Sequence, residues 1–193
     1  MIKQELISFE DDIALLFNEG VIHSPVHLSK GNEDALIKIF VEIKPTDWVF
    51  SNHRNHLHAL LHGVPADWLK KEILENRSIH INNAEHRFFS SAIVAGCCPI
   101  AVGVALAIKK QGGTDKVFVF CGDMAAHTGI FYESVRYSEG FDLPITFIVE
   151  DNGLSVNSPT DETWGDDYHG DKISYYDYKL GWPHSGSGKW LKF

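Results

Sequence analysis

The sequence predicts an α/β fold, a parallel sheet with helices on both faces. Two runs carry that expectation, Lys116–Cys121 (KVFVFC) and Ile145–Val149 (ITFIV). β-branched and aromatic residues at consecutive positions are the pattern of strands buried on both sides. The stretch between them, roughly Ala126 to Glu139, is predicted to be helical. Strand, helix and strand then form a crossover that is right-handed by default, and ligands of open α/β sheets bind beyond the carboxyl ends of such strands.

The remaining elements follow in order. Residues 3–18 place Leu6, Phe9, Ile13, Leu16 and Phe17 at helical spacing, and residues 33–43 do the same with Leu36, Ile37, Phe40 and Val41. A short helix is expected over 54–62. Pro65 suits the opening of another that runs to about Glu75. From Pro99 to Lys110 the residues are small and apolar, as in a helix packed closely on a sheet, and Gly112-Gly113 ends it. Residues 1–160 read as one domain. From Ser155 onward Gly, Asp, Tyr and Ser dominate without periodicity, so 161–193 is expected to be a loop-rich tail packing on the domain or on a partner.

Composition narrows the function classes. The 193 residues, 44% hydrophobic, suffice for one sizeable core. A net charge of −9 opposes a phosphate-tracking surface, so nucleic acid is not an expected partner. No run is long enough for a membrane helix and the first residues do not read as a signal peptide, so a cytoplasmic protein is expected. Cys97, Cys98 and Cys121 lie in apolar runs outside any C-x-x-C pair and read as reduced core thiols. Eleven histidines is a high count, and His53, His56, His58 and His62 crowd one segment, either as a polar helix face or as working groups.

Asp123 and Asn152 each fall just past a buried strand, one crossover apart. A carboxylate and an amide oxygen at neighbouring strand ends supply two hard oxygen ligands suited to Mg²⁺. A helix beginning near Ala126 would aim its amino end at the same place. Taken singly, Asp123 reads equally well as a helix cap and Asn152 as a turn residue before Gly153.

The stretch GDMAAHTGIFYESVRYSEGFDLPITFIVEDNGLSV resembles the metal motif of the thiamine diphosphate enzymes, and within them the alpha subunit of the 2-oxo acid dehydrogenase first component, here C-terminally shortened. Four further segments are similar to that family in the same order. SPVHLSKGNEDAL places His27 near the reacting centre. HRNHLHALLHGVP places Arg54 on the diphosphate with His56 nearby, and His53 stands where a tyrosine is usual. RSIHI offers His80, and AIVAGCC puts Ala92 and Val94 against the aminopyrimidine.

The resemblance implies Asp123 and Asn152 as side-chain Mg²⁺ ligands and Leu154 as a backbone one, with Gly122, Met124 and Ala125 beside the diphosphate. Tyr168-His169-Gly170 faintly resembles a later family loop that closes over the diphosphate, which makes His169 a further cofactor contact. Met124 and Asp151 depart from the family pattern by adding bulk and charge near an anionic ligand. The implied catalytic groups are His27, His56 and His80.

The implied assembly is α₂β₂, because a chain of this length matches only the diphosphate-binding half. A beta subunit with a pyrimidine-binding domain would supply the activating glutamate. The implied reaction is decarboxylation of a 2-oxo acid with acyl transfer to a lipoyl or other acyl-carrier protein. The alternatives are a transketolase-like two-carbon transfer from a ketose phosphate, and a non-catalytic scaffold subunit.

Overall fold

The computed structural model describes residues 1–165 and 169–188. Its sheet has six strands in the order β2-β3-β1-β4-β5-β8. They are β1 (Trp48–Ser51), β2 (Asn82–Asn83), β3 (Phe88–Ser90), β4 (Val117–Gly122), β5 (Ile145–Asp151) and β8 (Ile173–Asp177). All neighbours run parallel except β2, which is antiparallel to β3.

Alternate side chains of the central strands leave opposite faces of this sheet. Phe118, Phe120 and Ile148 enter one core with residues of α1 (Lys3–Asn18), α2 (Glu33–Phe40), α3 (His56–Leu61) and α4 (Ala66–Glu72). Val117, Val119, Cys121, Ile145, Phe147 and Val149 enter the other with α5 (Cys97–Lys110) and α7 (Gly129–Gly140). Both faces are therefore covered, which is why these strands lack polar alternation. Full burial of a side chain such as Phe147 contributes about 1.5–3 kcal/mol. The three cysteines are free and buried, and burial pushes the Cys97 thiol up to about 12. Among the described residues, no helix is long and apolar enough to cross a membrane.

Two expectations change. The helix expected from Ala126 is split into α6 (Asp123–Ala126) and α7, because Thr128 breaks the run. Its hydroxyl accepts the Phe131 N–H at 3.4 Å and donates to the Ala125 carbonyl at 2.7 Å, capping α7 while closing α6. The group at the strand edge is thus a single turn, not the amino end of a long helix.

The second change concerns the tail, which is not all loop. A short hairpin of β6 (Leu154–Ser155) and β7 (Ser158–Pro159) leads into α8 (Thr160–Trp164), and β8 then pairs with β5's outer edge from Phe147 to Asp151. Beyond β8 the chain docks on the 26–31 loop, where Gly181 N–H donates to the Lys30 carbonyl and Gly186 N–H to that of Val26, both at 2.7 Å. Gly31 makes this possible. Its φ is +113°, and a Cβ there would lie 2.3 Å from the Lys179 carbonyl oxygen.

Candidate functional site

A cleft open to solvent lies beyond the carboxyl ends of β1, β4 and β5. Asp123 and Asn152 both line it, as the crossover geometry requires. Asp123 is 3% exposed, and its Oδ2 accepts the Thr160 hydroxyl at 2.5 Å. Burial raises its pKa, the Thr160 bond opposes that rise, and the charge of Asp151 adds to it. Asn152 donates to the Tyr178 hydroxyl at 3.2 Å, while its oxygen accepts the Leu154 N–H at 3.0 Å and keeps a lone pair.

The two departures from the family pattern are locally engaged. Asp151 accepts the Gly153 N–H at 2.7 Å and so closes the turn, and the Met124 sulfur accepts the Trp164 indole N–H at 2.9 Å. Leu154, Gly122 and Ala125 line the cleft, as do Ala92 and Val94. Ala95, between Val94 and α5, holds φ +53°, a left-handed conformation costly for any residue with a Cβ.

Arg54 is buried at the cleft, and its guanidinium donates to the carbonyls of Leu28 (2.7 Å) and His184 (2.9 Å). His53 also lines the cleft, with its ring 4.6 Å from that of His27. Burial is the main cause that lowers His27 to about 4 and His53 to about 3; the bond to the His184 carbonyl opposes it at His27, and the Arg54 guanidinium adds to it at both.

The other histidines fall elsewhere. His56 is fully buried, its Nε2 3.0 Å from the Ser78 hydroxyl and its pKa lowered by burial to about 4. It does not line the cleft. His80 is exposed and does not line the cleft. His169 is exposed too, its ring against Tyr175 (5.3 Å), while Tyr168 lies outside the described residues. The histidine that comes to Arg54 is His184 instead.

A model of the family described as dehydrogenase E1 component matches residues 2–172. The chain belongs to the dehydrogenase E1 component family. Its relatives include the alpha subunits of acetoin:2,6-dichlorophenolindophenol oxidoreductase from Cupriavidus necator and Bacillus subtilis. The first is 31% identical over 79% of this chain and 49% of the relative, the second 28% identical over 89% and 55%. The pyruvate dehydrogenase E1 component subunit alpha of Porphyra purpurea is 30% identical over 77% and 48%. This E1 component chain thus spans about half the length of the curated relatives it matches.

Three further groups shape the site of this E1 component chain. Tyr178 and His184 come from the tail, whose aperiodic sequence offers no way to place them. Glu150 is different, since a lone acid closing the apolar run ITFIVE is visible in the sequence. It is 4% exposed and accepts from Asn52 Nδ2 (2.9 Å), His58 Nε2 (3.1 Å), Asn32 Nδ2 (3.5 Å) and the Tyr176 hydroxyl. Asn52 Oδ1 in turn accepts the Arg54 N–H at 2.7 Å, and Ser51 Oγ sits 2.7 Å from His58 Nδ1. Burial alone would raise the pKa of Glu150, but the His58 imidazole and the hydrogen bonds outweigh it and hold the carboxyl below its usual range. One carboxylate thereby ties the ends of β1 and β5 to α2, α3 and β8.

Proposed function

We propose that this chain is the diphosphate-binding alpha subunit of a thiamine diphosphate- and Mg²⁺-dependent enzyme that acts on a 2-oxo acid or a related α-carbonyl compound. One observation carries the reading: a buried carboxylate and an amide oxygen, Asp123 and Asn152, line the same cleft just past the ends of adjacent parallel strands. The donor set fits the ion. Asp123 is destabilised by burial and by the charge of Asp151, which a divalent cation would offset, and both side chains offer hard oxygens.

In this reading Asp123, Asn152 and the Leu154 carbonyl hold the metal. Gly122, Met124 and Ala125 border the diphosphate, and Ala92 and Val94 border the pyrimidine. Thiamine diphosphate, when bound, supplies the carbanion chemistry that the side chains themselves lack. The protein's part is to position and to exclude water. Arg54 presents a guanidinium held by two carbonyls, and burial keeps neutral both His53, which lines the cleft, and His27, which packs against His53. His56, His80 and His169 do not line this cleft.

A beta subunit carrying the pyrimidine-binding domain and its activating glutamate completes the site, in an α₂β₂ assembly, and a lipoyl or similar carrier accepts the acyl group. The test is calorimetry with thiamine diphosphate and Mg²⁺ on the co-expressed pair. Magnesium-dependent binding that Asp123→Ala weakens by about a hundredfold or more supports the reading. Equal binding by the variant, or none by the parent, overturns it. Turnover of the assembled pair with pyruvate, with acetoin and with ketose phosphates then separates the substrate classes.

A further inference from the structure

The same mouth carries a second cluster with different chemistry. His27, from the loop before α2, His53, from the turn after β1, and His184, from the tail, each bring one ring nitrogen within 4.8 Å of the other two. None of the rings stack: His27 meets His53 (4.6 Å between centroids) and His184 (4.9 Å) edge to face, and His53 and His184 are tilted to each other at 5.9 Å. His27 Nδ1 lies 2.7 Å from the His184 carbonyl oxygen. A carbonyl only accepts, so Nδ1 carries the proton and Nε2 holds a free lone pair. This is the arrangement by which a backbone carbonyl orients a metal-binding imidazole. His53 Nε2 is buried without a hydrogen-bond partner, a cost that a bound ligand would relieve.

We propose that His27, His53 and His184 form a binding site for a divalent transition-metal ion of the Zn²⁺ class, which staples the tail to the body of the domain. Three imidazoles suit Zn²⁺, Co²⁺ or Ni²⁺ and are a poor match for Mg²⁺, so this site and the oxygen-lined pair Asp123 and Asn152 select different ions. The Arg54 guanidinium, whose Nη2 is 3.5 Å from His184 Nδ1, repels any cation here and sharpens that preference for ions that bind nitrogen strongly. Ligand nitrogens of a tetrahedral zinc site sit about 3.3 Å apart, so binding must draw the ring nitrogens together by up to about 1.5 Å. His184 lies on a docked segment held by the Gly186 N–H bond to Val26, so closing that distance requires the segment to shift. Three protein ligands leave one position open toward the cleft.

The test uses the full chain with Mg²⁺ in excess and no thiamine diphosphate, so its outcome is independent of the reading above. Zn²⁺ is titrated by calorimetry and Co²⁺ by its visible d–d absorption. The expected result is one-to-one binding that Mg²⁺ does not displace. His27→Ala, His53→Ala and His184→Gln should each weaken it by at least about tenfold, and exposed His23→Ala should leave it unchanged. Zn²⁺ should also slow proteolytic cleavage of the tail in the parent but not in His184→Gln, a readout that holds even if a body variant fails to fold. Non-stoichiometric binding, or binding of undiminished strength by His184→Gln, overturns the proposal.

Discussion

Replacing Glu150 by Gln tests whether one carboxylate organises the edge of the sheet. Gln keeps the shape but only one acceptor oxygen, and that oxygen can serve His58, Asn32 and Tyr176 only by turning its NH₂ toward Asn52. Asn52 cannot escape by flipping its own amide, because its Oδ1 already accepts the Arg54 N–H. At least one buried donor is therefore left unpaired in either orientation, at about 1–3 kcal/mol, and the retained bonds lose their charge assistance at roughly 1 kcal/mol each. Relief of the buried charge offsets part of this, which leaves a net loss of about 3 kcal/mol. For a domain of this size that lowers Tm by roughly 6–12 °C.

The pH dependence supplies an independent signature. The folded pKa of Glu150 is depressed, so its contribution is present above the unfolded value of 4.5 and fades as pH falls through the folded value. The gap between parent and Glu150→Gln should accordingly be widest near neutrality and shrink below about pH 4.5. Thermal unfolding followed by circular dichroism across that range measures both. A Tm change under about 2 °C at neutral pH, or a gap that does not narrow in acid, would refute the reasoning.

His56, neutral in the fold with a pKa of about 4 against 6.5 unfolded, makes acid destabilising between those values: about 2 kcal/mol should be lost from about pH 7.5 to about pH 5 in urea unfolding. His56→Gln should flatten that slope, and an unchanged slope would assign it to other groups. Ala95→Gly should relieve the left-handed backbone at φ +53° and raise stability by about 1 kcal/mol, and a lower Tm would show that the strain is illusory. Gly31→Ala drives a methyl against the Lys179 carbonyl and should cost more than about 2 kcal/mol. Limited proteolysis should then cut residues 177–188 sooner while the body stays intact, and an equally resistant tail would argue against tight docking.

The two central strands were legible because burial on both faces leaves an unbroken apolar run that no amphipathic helix reproduces. The helices over 3–18 and 99–110 were legible from period and from small residues. β1 and β3 were not, since three or four residues are too few for any period to show. β8 was hidden for another reason: ISYYD sits at an edge, half-exposed, and its polar residues match a loop as well as a strand. The site divides the same way. Asp123 and Asn152 announce themselves by standing where apolar strands stop. His56 and His169 illustrate the opposite case, because a histidine's exposure depends on packing partners far away in sequence. His184 reaches Arg54 only because β8 carries the chain back across the sheet.

The pairing of β8 on β5 also bears on how the chain stays soluble as it folds. Without residues 173–177, Phe147–Asp151 would form the rim of the sheet, with a row of unsatisfied N–H and C=O groups beside buried apolar side chains. The modest, tyrosine-rich strand that occupies this rim presents polar and half-exposed positions to water in their place. A truncation that removes it, although it spares Asp123 and Asn152, would convert a shielded interior strand into a template for intermolecular strand addition.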